Sequence, residues 1–195
     1  MFEKNTYFVK EQVSFMKLVD RYDIFDAETR QMVAFAKENI SGGMKFLRLL
    51  VSKSLLPTLV EIVDTETNQV AFSIKKDFSL LTSTLHIIDK NGREVGYFKS
   101  RIFTIGGRFD VFHTDGKKFA EVKGNWKGWT FQFLDLQGNE LGLITKKWAG
   151  IGKEFFSSAD NYVISLNQQI QRDEDLMALL IMAGLSVDIV LKERK

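Results

Sequence analysis

Alternating apolar and polar residues around short turns recur along the middle of the chain. The clearest copies, each with a turn glycine followed four residues later by glycine or alanine, are residues 88–96, 112–120 and 134–142. Fainter copies are residues 63–71 and 25–34. Asn91-Gly92 and Asp115-Gly116 favour tight two-residue hairpin turns, because these residue types tolerate positive φ. A hairpin repeated in this way predicts a sheet built by iteration.

The flanking pattern predicts further strands and one short helix. Runs of alternating aromatic and β-branched residues, typical of strands, are residues 7–16, 22–25 and 58 to about 165. Over residues 44–55 the apolar residues recur at helical spacing, and Pro57 ends the segment. Lys45, Arg48 and Lys53 lie among them, which suits either a membrane surface or ordinary packing.

The last element is apolar on every side. Acidic residues 173–175 precede it and basic residues follow it, which complements the dipole of an α-helix. The uncharged run covers only residues 176–187, about 18 Å at about 1.5 Å per residue. A membrane span needs roughly 20 apolar residues. We therefore predict a buried core helix over about residues 173–191 and no transmembrane span.

A helix that is apolar all round has to be covered on all sides. A sheet closed around it would do this, and closure also removes the exposed edges of a strand-rich chain. We predict a mainly β fold, a closed antiparallel barrel around the C-terminal helix. Pro57 is the only proline and no linker-like stretch occurs, so residues 1–195 are predicted to form a single domain.

The composition narrows the function classes. With 27 basic and 25 acidic residues, the net charge of +2 gives no general attraction to nucleic acid, and nucleic acid is not predicted as a partner. The absence of cysteine excludes disulfides, thiol catalysis and cysteine-based zinc sites. Residues 1–5 lack the charged-then-apolar pattern of a signal peptide, so we expect a cytoplasmic protein.

The sequence does not predict an enzyme. His86 and His113 are the only histidines, and each is expected in a strand beside a turn, where a structural role is common. Residues 150–153 superficially suggest a phosphate loop, but the required glycine spacing and the Ser or Thr after lysine are missing. The chain has no G-x-S-x-G nucleophile motif. We predict no cofactor.

Several of these motifs occur together in one known family. The repeated D-x-x-G-x-x-φ-G hairpins, residues 123–126, residues 158–162 and the helix containing Val187-Asp188 resemble the phospholipid scramblase family. They are equally similar to the LURP-one-related proteins, which share the tubby C-terminal fold. The resemblance runs from about Lys45 to Glu193. It implies an antiparallel barrel of about twelve strands threaded by the C-terminal helix, in agreement with the prediction from the residues.

The resemblance also implies a lipid-binding surface. Tubby domains bind phosphoinositide headgroups through basic side chains on the barrel and an adjoining helix. The corresponding candidates for lipid or anion binding are Lys99, Arg101, Arg108, Lys123, Lys127, Lys146 and Lys147. A lysine near a tryptophan, such as Trp148, can hold a phosphate while the ring lies at an interface. The alternative is that these are outward-facing barrel residues balanced by acids.

Calcium binding is not predicted. Scramblases carry several acids before the last helix, proposed to bind calcium, and Asp160 matches one of these positions. Ser158, Gln169 and Gln171 stand where the other acids are expected. Calcium takes about six to eight oxygen ligands, usually with several carboxylates. Residues 173–175 are acidic, but they are placed to cap a helix.

Three functional hypotheses follow from the sequence. The first is a non-enzymatic domain that binds anionic phospholipid or phosphoinositide headgroups at the surface of a membrane. The second is a protein-interaction or regulatory scaffold with no lipid role. The third is a lipid scramblase, which the short, charge-interrupted helix disfavours.

Overall fold

Twelve β-strands and one long α-helix make up the described part of the chain. The computed structural model describes residues 2–12, 21–40, 55–78, 83–100, 108–125, 128–147, 161–168 and 174–192. The strands are β1 (Thr6–Glu11), β2 (Arg21–Asp26), β3 (Met32–Glu38), β4 (Thr58–Asp64), β5 (Val70–Lys76), β6 (Thr84–Asp89), β7 (Glu94–Ser100), β8 (Arg108–Phe112), β9 (Lys118–Asn125), β10 (Thr130–Asp135), β11 (Glu140–Thr145) and β12 (Tyr162–Leu166). The helix, α1, spans Glu174–Lys192, and its side chains are described as far as Asp188.

The strands form one closed antiparallel sheet. Each strand pairs with its neighbours in sequence, and β1 closes the ring by pairing with β12. Tyr7 lies opposite Ile164, and Val9 lies opposite Tyr162. The structure therefore confirms the prediction of a mainly β fold, with a closed antiparallel barrel around a C-terminal helix.

Five hairpins meet at one end of the barrel, which we call the turn end. They join β2 to β3, β4 to β5, β6 to β7, β8 to β9 and β10 to β11, and the register shifts beside every turn. These hairpins are the five repeat units of the sequence. The predicted two-residue turns are wrong in length, because residues 90–93 connect β6 to β7. A type I′ turn needs positive φ at both central residues, whereas here only Gly92 of its pair has it, at 80°.

The recurring aspartate of the repeat closes four of the five turns. Asp64 Oδ1 accepts backbone N–H bonds from Glu66 at 2.8 Å and Thr67 at 2.9 Å. The equivalent carboxylates that accept backbone bonds in the same way are Asp26, Asp89 and Asp135. In the β8–β9 hairpin His113 takes that position, and Asp115 accepts the bond from Lys117 N instead. The aspartate is therefore a turn residue.

The helix α1 fills the barrel. Every residue from Met177 to Asp188 is buried, which confirms the predicted core helix. Its first turn lies at the turn end, where Arg93 of the β6–β7 hairpin makes two bonds to the Asp175 carboxylate at 2.8 and 2.9 Å. Gly184 packs so closely against β12 that a Cβ atom there would lie 2.5 Å from Ile164 Cδ1.

At the opposite end, which we call the far end, β7 stops at Ser100 and β8 starts at Arg108. Apart from β9 and β10, which residues 126–129 connect, the strands that meet here are joined by longer segments, of which the longest are residues 12–20, 39–57 and 146–161. The predicted helix over residues 44–55, with Lys45, Arg48 and Lys53, lies outside the described residues. The same is true of residues 13–16, the last part of the first predicted strand.

Candidate functional site

The described candidate cations lie toward the far end, on or beside strands β7 to β11. On β8 the core residues Phe109 and Val111 point inward, so the alternate residues Arg108 and Asp110 point outward. Arg108 lies directly opposite Lys123 in the pairing of β8 with β9. Residues at such positions have Cβ atoms about 4.5–5.5 Å apart. The fold therefore brings two candidate cations side by side.

Arg108 belongs to a small ion network. Its guanidinium bonds to the Glu121 carboxylate, which also accepts a bond from Lys118 Nζ at 3.3 Å. Lys118 in turn reaches Asp110 at 2.6 Å. Burial opposes ionisation of Glu121, but the bonds from Arg108 and Lys118 outweigh it and hold the pKa of that carboxyl below its ordinary value. The charge of Arg108 is thus compensated.

Lys99 lies over two aromatic rings on the same face. Its Nζ atom is 5.3 Å from the ring centre of Tyr97 and 5.2 Å from that of Phe112. Tyr97 and Phe112 are directly opposite each other on β7 and β8, and their rings are parallel with centres 5.0 Å apart. An ammonium group within about 6 Å of a ring centre is attracted by the ring quadrupole. The side chain of Lys99 itself stays exposed.

Lys146 packs on a tryptophan that the sequence did not single out. Its Nζ atom is 4.2 Å from the ring centre of Trp129, and its backbone N–H bonds to Trp129 O at 3.2 Å. Trp129 has a φ of 46°, a left-handed conformation that costs a non-glycine residue about 1–3 kcal/mol. Its ring also contacts Tyr162 and Phe131, with centres 5.1 and 5.7 Å away. These contacts fix the position of Lys146.

Three of the candidate lysines have no acidic partner among the described residues. They are Lys99, Lys123 and Lys147, and all three are exposed. We call these three residues the basic strip. The two other candidates, Arg101 and Lys127, lie outside the described residues.

Several cations elsewhere on the barrel are matched by acids. On β3 and β4, Lys37 Nζ is 3.6 Å from Glu61. At the end of β5, Lys75 Nζ is 3.3 Å from Asp77. Lys10 and Lys90 are also exposed and have no acidic partner among the described residues. The basic strip is therefore distinguished by bringing three such lysines together, on or beside the alternate strands β7, β9 and β11.

Sequence reasoning missed Tyr97, Phe112 and Trp129. One signal was present, since Tyr97 and Lys99 are two residues apart on one strand and so share a face. The contact of Phe112 with Lys99 depends on the register between β7 and β8, which no local pattern contains. Trp148, which was expected to accompany Lys146, lies outside the described residues.

The barrel interior near the far end is polar. Lys76, Glu38 and Asp188 are buried there, each less than a tenth exposed. Tyr162 is also fully buried, and its hydroxyl has no hydrogen-bond partner in the described part of the chain. Burial, followed by the nearby carboxylates Asp188 and Glu11, raises the pKa of Tyr162 well above its ordinary value.

The other chemical candidates give no site within the described ranges. His86 lies on β6 with Nδ1 at 3.2 Å from Glu94 and Nε2 at 3.7 Å from Asp77, and His113 is a turn residue stacked on Phe119. No cluster of three or more His, Asp or Glu side chains suited to a metal occurs among these residues. Asp160 lies outside them. None of the helices in this part of the chain is long and apolar enough to cross a membrane.

The fold and the surface define a helix-threaded β-barrel whose outer face carries three lysines with no acidic partner among the described residues. A profile of the Scramblase family matches residues 3–194, and the chain therefore belongs to that family. It is also similar to the "Altered inheritance rate of mitochondria protein 25" of Saccharomyces cerevisiae, with 22% identity over 194 residues. That match covers 84% of this chain and 59% of the yeast protein, so the chain spans less than two thirds of the length of its relative.

Proposed function

We propose that this chain is a non-enzymatic domain that binds anionic phospholipid headgroups from the cytoplasmic side of a membrane. The observation that carries the proposal is the basic strip, three exposed lysines at one end of the barrel without acidic partners in the described residues. Membership of the Scramblase family supports a lipid-related role. From the sequence alone, Arg101 and Lys127 belong to the same proposed site.

The spacing of the strip suits a surface with many phosphates. Lys99 lies on β7 and Lys123 on β9, two strands apart, and Lys147 follows β11, a further two strands on. Neighbouring strands are about 4.8 Å apart, so the strip extends over roughly 20 Å. This is too wide for one phosphate and matches several headgroups of a lipid layer. Each lysine near an anionic surface contributes about 1 kcal/mol.

Co-sedimentation with vesicles tests the proposal. The wild-type chain is mixed with vesicles of phosphatidylcholine containing phosphatidylserine or a phosphoinositide at low salt, where screening is weakest. The triple variant Lys99→Gln, Lys123→Gln, Lys147→Gln is compared with it. Loss of about 3 kcal/mol predicts roughly 100-fold weaker binding.

The matched control is the triple variant Lys37→Gln, Lys75→Gln, Lys117→Gln. It changes the net charge by the same amount, but each of these lysines has an acidic partner, which for Lys117 is Asp115 at 2.9 Å. We expect the control to bind within a fewfold of wild type. Equal losses in both triple variants, or a wild-type chain that binds no anionic vesicle, would rule out the proposed site. A scaffold acting only through proteins would give the second result.

A further inference from the structure

The paired rings of Tyr97 on β7 and Phe112 on β8 contact the ammonium group of a lysine. Tyr97 and Phe112 are partly exposed, and their ring planes differ by only 8°. The ammonium group of Lys99 lies within cation–π distance of both rings. Its cross-strand neighbour Asp110 bonds to Lys118 instead. Among the described residues, no acid therefore holds Lys99 at the rings.

The surroundings of the rings are charged on two sides. The His86 ring lies beside Tyr97 with centres 5.8 Å apart, and the carboxylates of Glu94 and Asp77 flank that histidine. Lys99 lies on the other side, on a flexible stem. A ligand that carries both charges would place its cation on the rings, near the carboxylates, and its anion on the lysine.

A quaternary ammonium group suits these rings better than a lysine ammonium does. It has no N–H to donate, so it loses no hydrogen bonds to water when it moves onto a ring face, and aromatic faces recognise such groups. A lysine ammonium is compact and strongly hydrated, so Lys99 regains favourable hydration when it leaves the rings. Once displaced, Lys99 is free to bind a phosphate as a point charge.

We propose that Tyr97, Phe112 and Lys99 bind the phosphocholine headgroup of a choline phospholipid. The quaternary ammonium lies on the two rings, and Lys99 Nζ binds the phosphate. This inference rests on the proposed function for its membrane setting, but its ligand is zwitterionic and its rings are not part of the basic strip. The two ideas can therefore fail separately.

The experiment is a titration of the full chain with soluble probes, followed by NMR of the aromatic ring protons. The probes are dodecylphosphocholine below its micelle concentration, tetramethylammonium and glycerol 3-phosphate. We expect dodecylphosphocholine to shift the rings of Tyr97 and Phe112 and to bind more tightly than the other two. Binding of glycerol 3-phosphate with equal affinity would overturn the inference, because it lacks the ammonium group.

Variants separate the two halves of the headgroup. Replacing both rings, Tyr97→Leu with Phe112→Leu, is expected to weaken dodecylphosphocholine binding by roughly fivefold or more, whereas Tyr97→Phe keeps it. Lys99→Met is expected to weaken dodecylphosphocholine binding and to strengthen tetramethylammonium binding, because the rings become free while the phosphate partner is lost. If Lys99→Met weakens both probes equally, or the double leucine variant binds like wild type, the site is wrong.

Two controls complete the test. Phe119→Leu changes the stacked pair with His113, outside the proposed place, and is expected to leave binding unchanged. Phosphatidylcholine vesicles are expected to compete with the soluble probe, and failure to compete would overturn the assignment to a lipid. Should the anionic lipid add nothing to the binding of pure phosphatidylcholine vesicles while this titration succeeds, only the proposed anionic surface fails.

Discussion

The two ends of the barrel are made by the same strands but in different ways. At the turn end, residues 27–31 and 136–139 are representative of the short hairpins, in which an aspartate closes the turn. At the far end the strands are joined through segments as long as residues 39–57, and the outer face carries the basic strip. Local hydrogen bonding specifies the turn end, whereas the far end depends on contacts between distant parts of the chain.

Charge follows the same division. The turn end carries the carboxylates of the hairpins together with Glu174 and Asp175 at the start of α1. The basic strip lies toward the far end. The net charge of +2 of the whole sequence therefore does not describe the local distribution of charge at either end.

The largest effect on stability is expected from a change in the helix α1, which packs inside the barrel between its two ends. Leu179 of α1 is buried and packs against Gly96 of β7. A Cβ atom built on Gly96 would lie only 3.2 and 3.3 Å from the two Cδ atoms of Leu179. Leu179→Ala is predicted to lower the free energy of unfolding by about 2–5 kcal/mol, because it leaves a cavity in the core. Urea unfolding measures this, and Leu136→Ala, at a side chain that is 60% exposed, is the control with a change below about 0.5 kcal/mol.

The same variant shows whether the two ends are one cooperative unit. Tryptophan fluorescence and far-ultraviolet circular dichroism are expected to report one common midpoint for Leu179→Ala, lower than that of wild type. Two separate midpoints would mean that the two ends of the barrel unfold independently, as two folding units.

A smaller effect is expected from Trp129 near the far end. Trp129→Ala removes the ring from Lys146 and Tyr162 but keeps the left-handed backbone, and we predict a loss of about 2 kcal/mol. Trp129→Gly loses the same ring but relieves the backbone, so it is expected to be more stable than the alanine variant by about 1 kcal/mol. Thermal or urea unfolding of the pair decides this. An alanine variant more stable than the glycine variant would show that the backbone strain is absent.

The converse change tests the turn end. Gly138 has a φ of 88° and no atom within 4 Å of a Cβ built on it, so Gly138→Ala adds backbone strain without a clash. We predict a loss of about 1 kcal/mol in the free energy of unfolding. Gly138→Asn is the matched control and is expected to lose less, because asparagine tolerates this region. Equal losses for both residues would argue against a backbone origin.

The smallest effect on stability is expected from lowering the pH. The backbone N–H bond from Thr67 is the main cause that holds the pKa of Asp64 below its ordinary value, against the opposing effect of burial. A carboxyl with a lowered folded pKa stabilises the protein fully above its unfolded pKa of about 3.9, and this contribution is lost as the pH falls through the folded pKa. Stability is therefore expected to fall as the pH drops below about 4.

Asp64→Asn isolates this contribution. Asparagine keeps an oxygen that can accept the hydrogen bonds of the turn, so near neutral pH the free energy of unfolding of the variant is expected to lie within about 1 kcal/mol of the wild-type value. On acidification the variant is expected to lose less stability than wild type. Urea unfolding at a series of pH values from 7 to about 2 measures the difference. Parallel pH profiles for the two proteins would contradict the assignment to Asp64.

Much of the turn end could be predicted from the sequence. A turn glycine and an aspartate at fixed spacing act on backbone groups within five residues, so they work wherever the segment lies. The prediction failed only in loop length, because Asn91 does not take the positive φ that a two-residue turn requires. The core helix was predictable for a similar reason, since residues 176–187 contain no charge and have to be buried.

The candidate site could be predicted only as a set of residue types. The sequence identified seven basic positions but could not distinguish Arg108, whose charge Glu121 compensates, from Lys123, which has no acid partner among the described residues. That difference arises from which strands lie side by side and in which register. Nothing within a strand records it.

The sequence by itself thus determined the hairpins, the apolar helix and, through both, a closed barrel, because turn geometry and hydrophobic burial act locally or along one element. Only the tertiary structure decided which cations are neutralised and which rings lie under Lys99. It also decided that Trp129, and not a neighbour in sequence, supports Lys146. Cross-strand contacts join residues far apart in the chain, and their energies depend on register, which exists only once the sheet has closed.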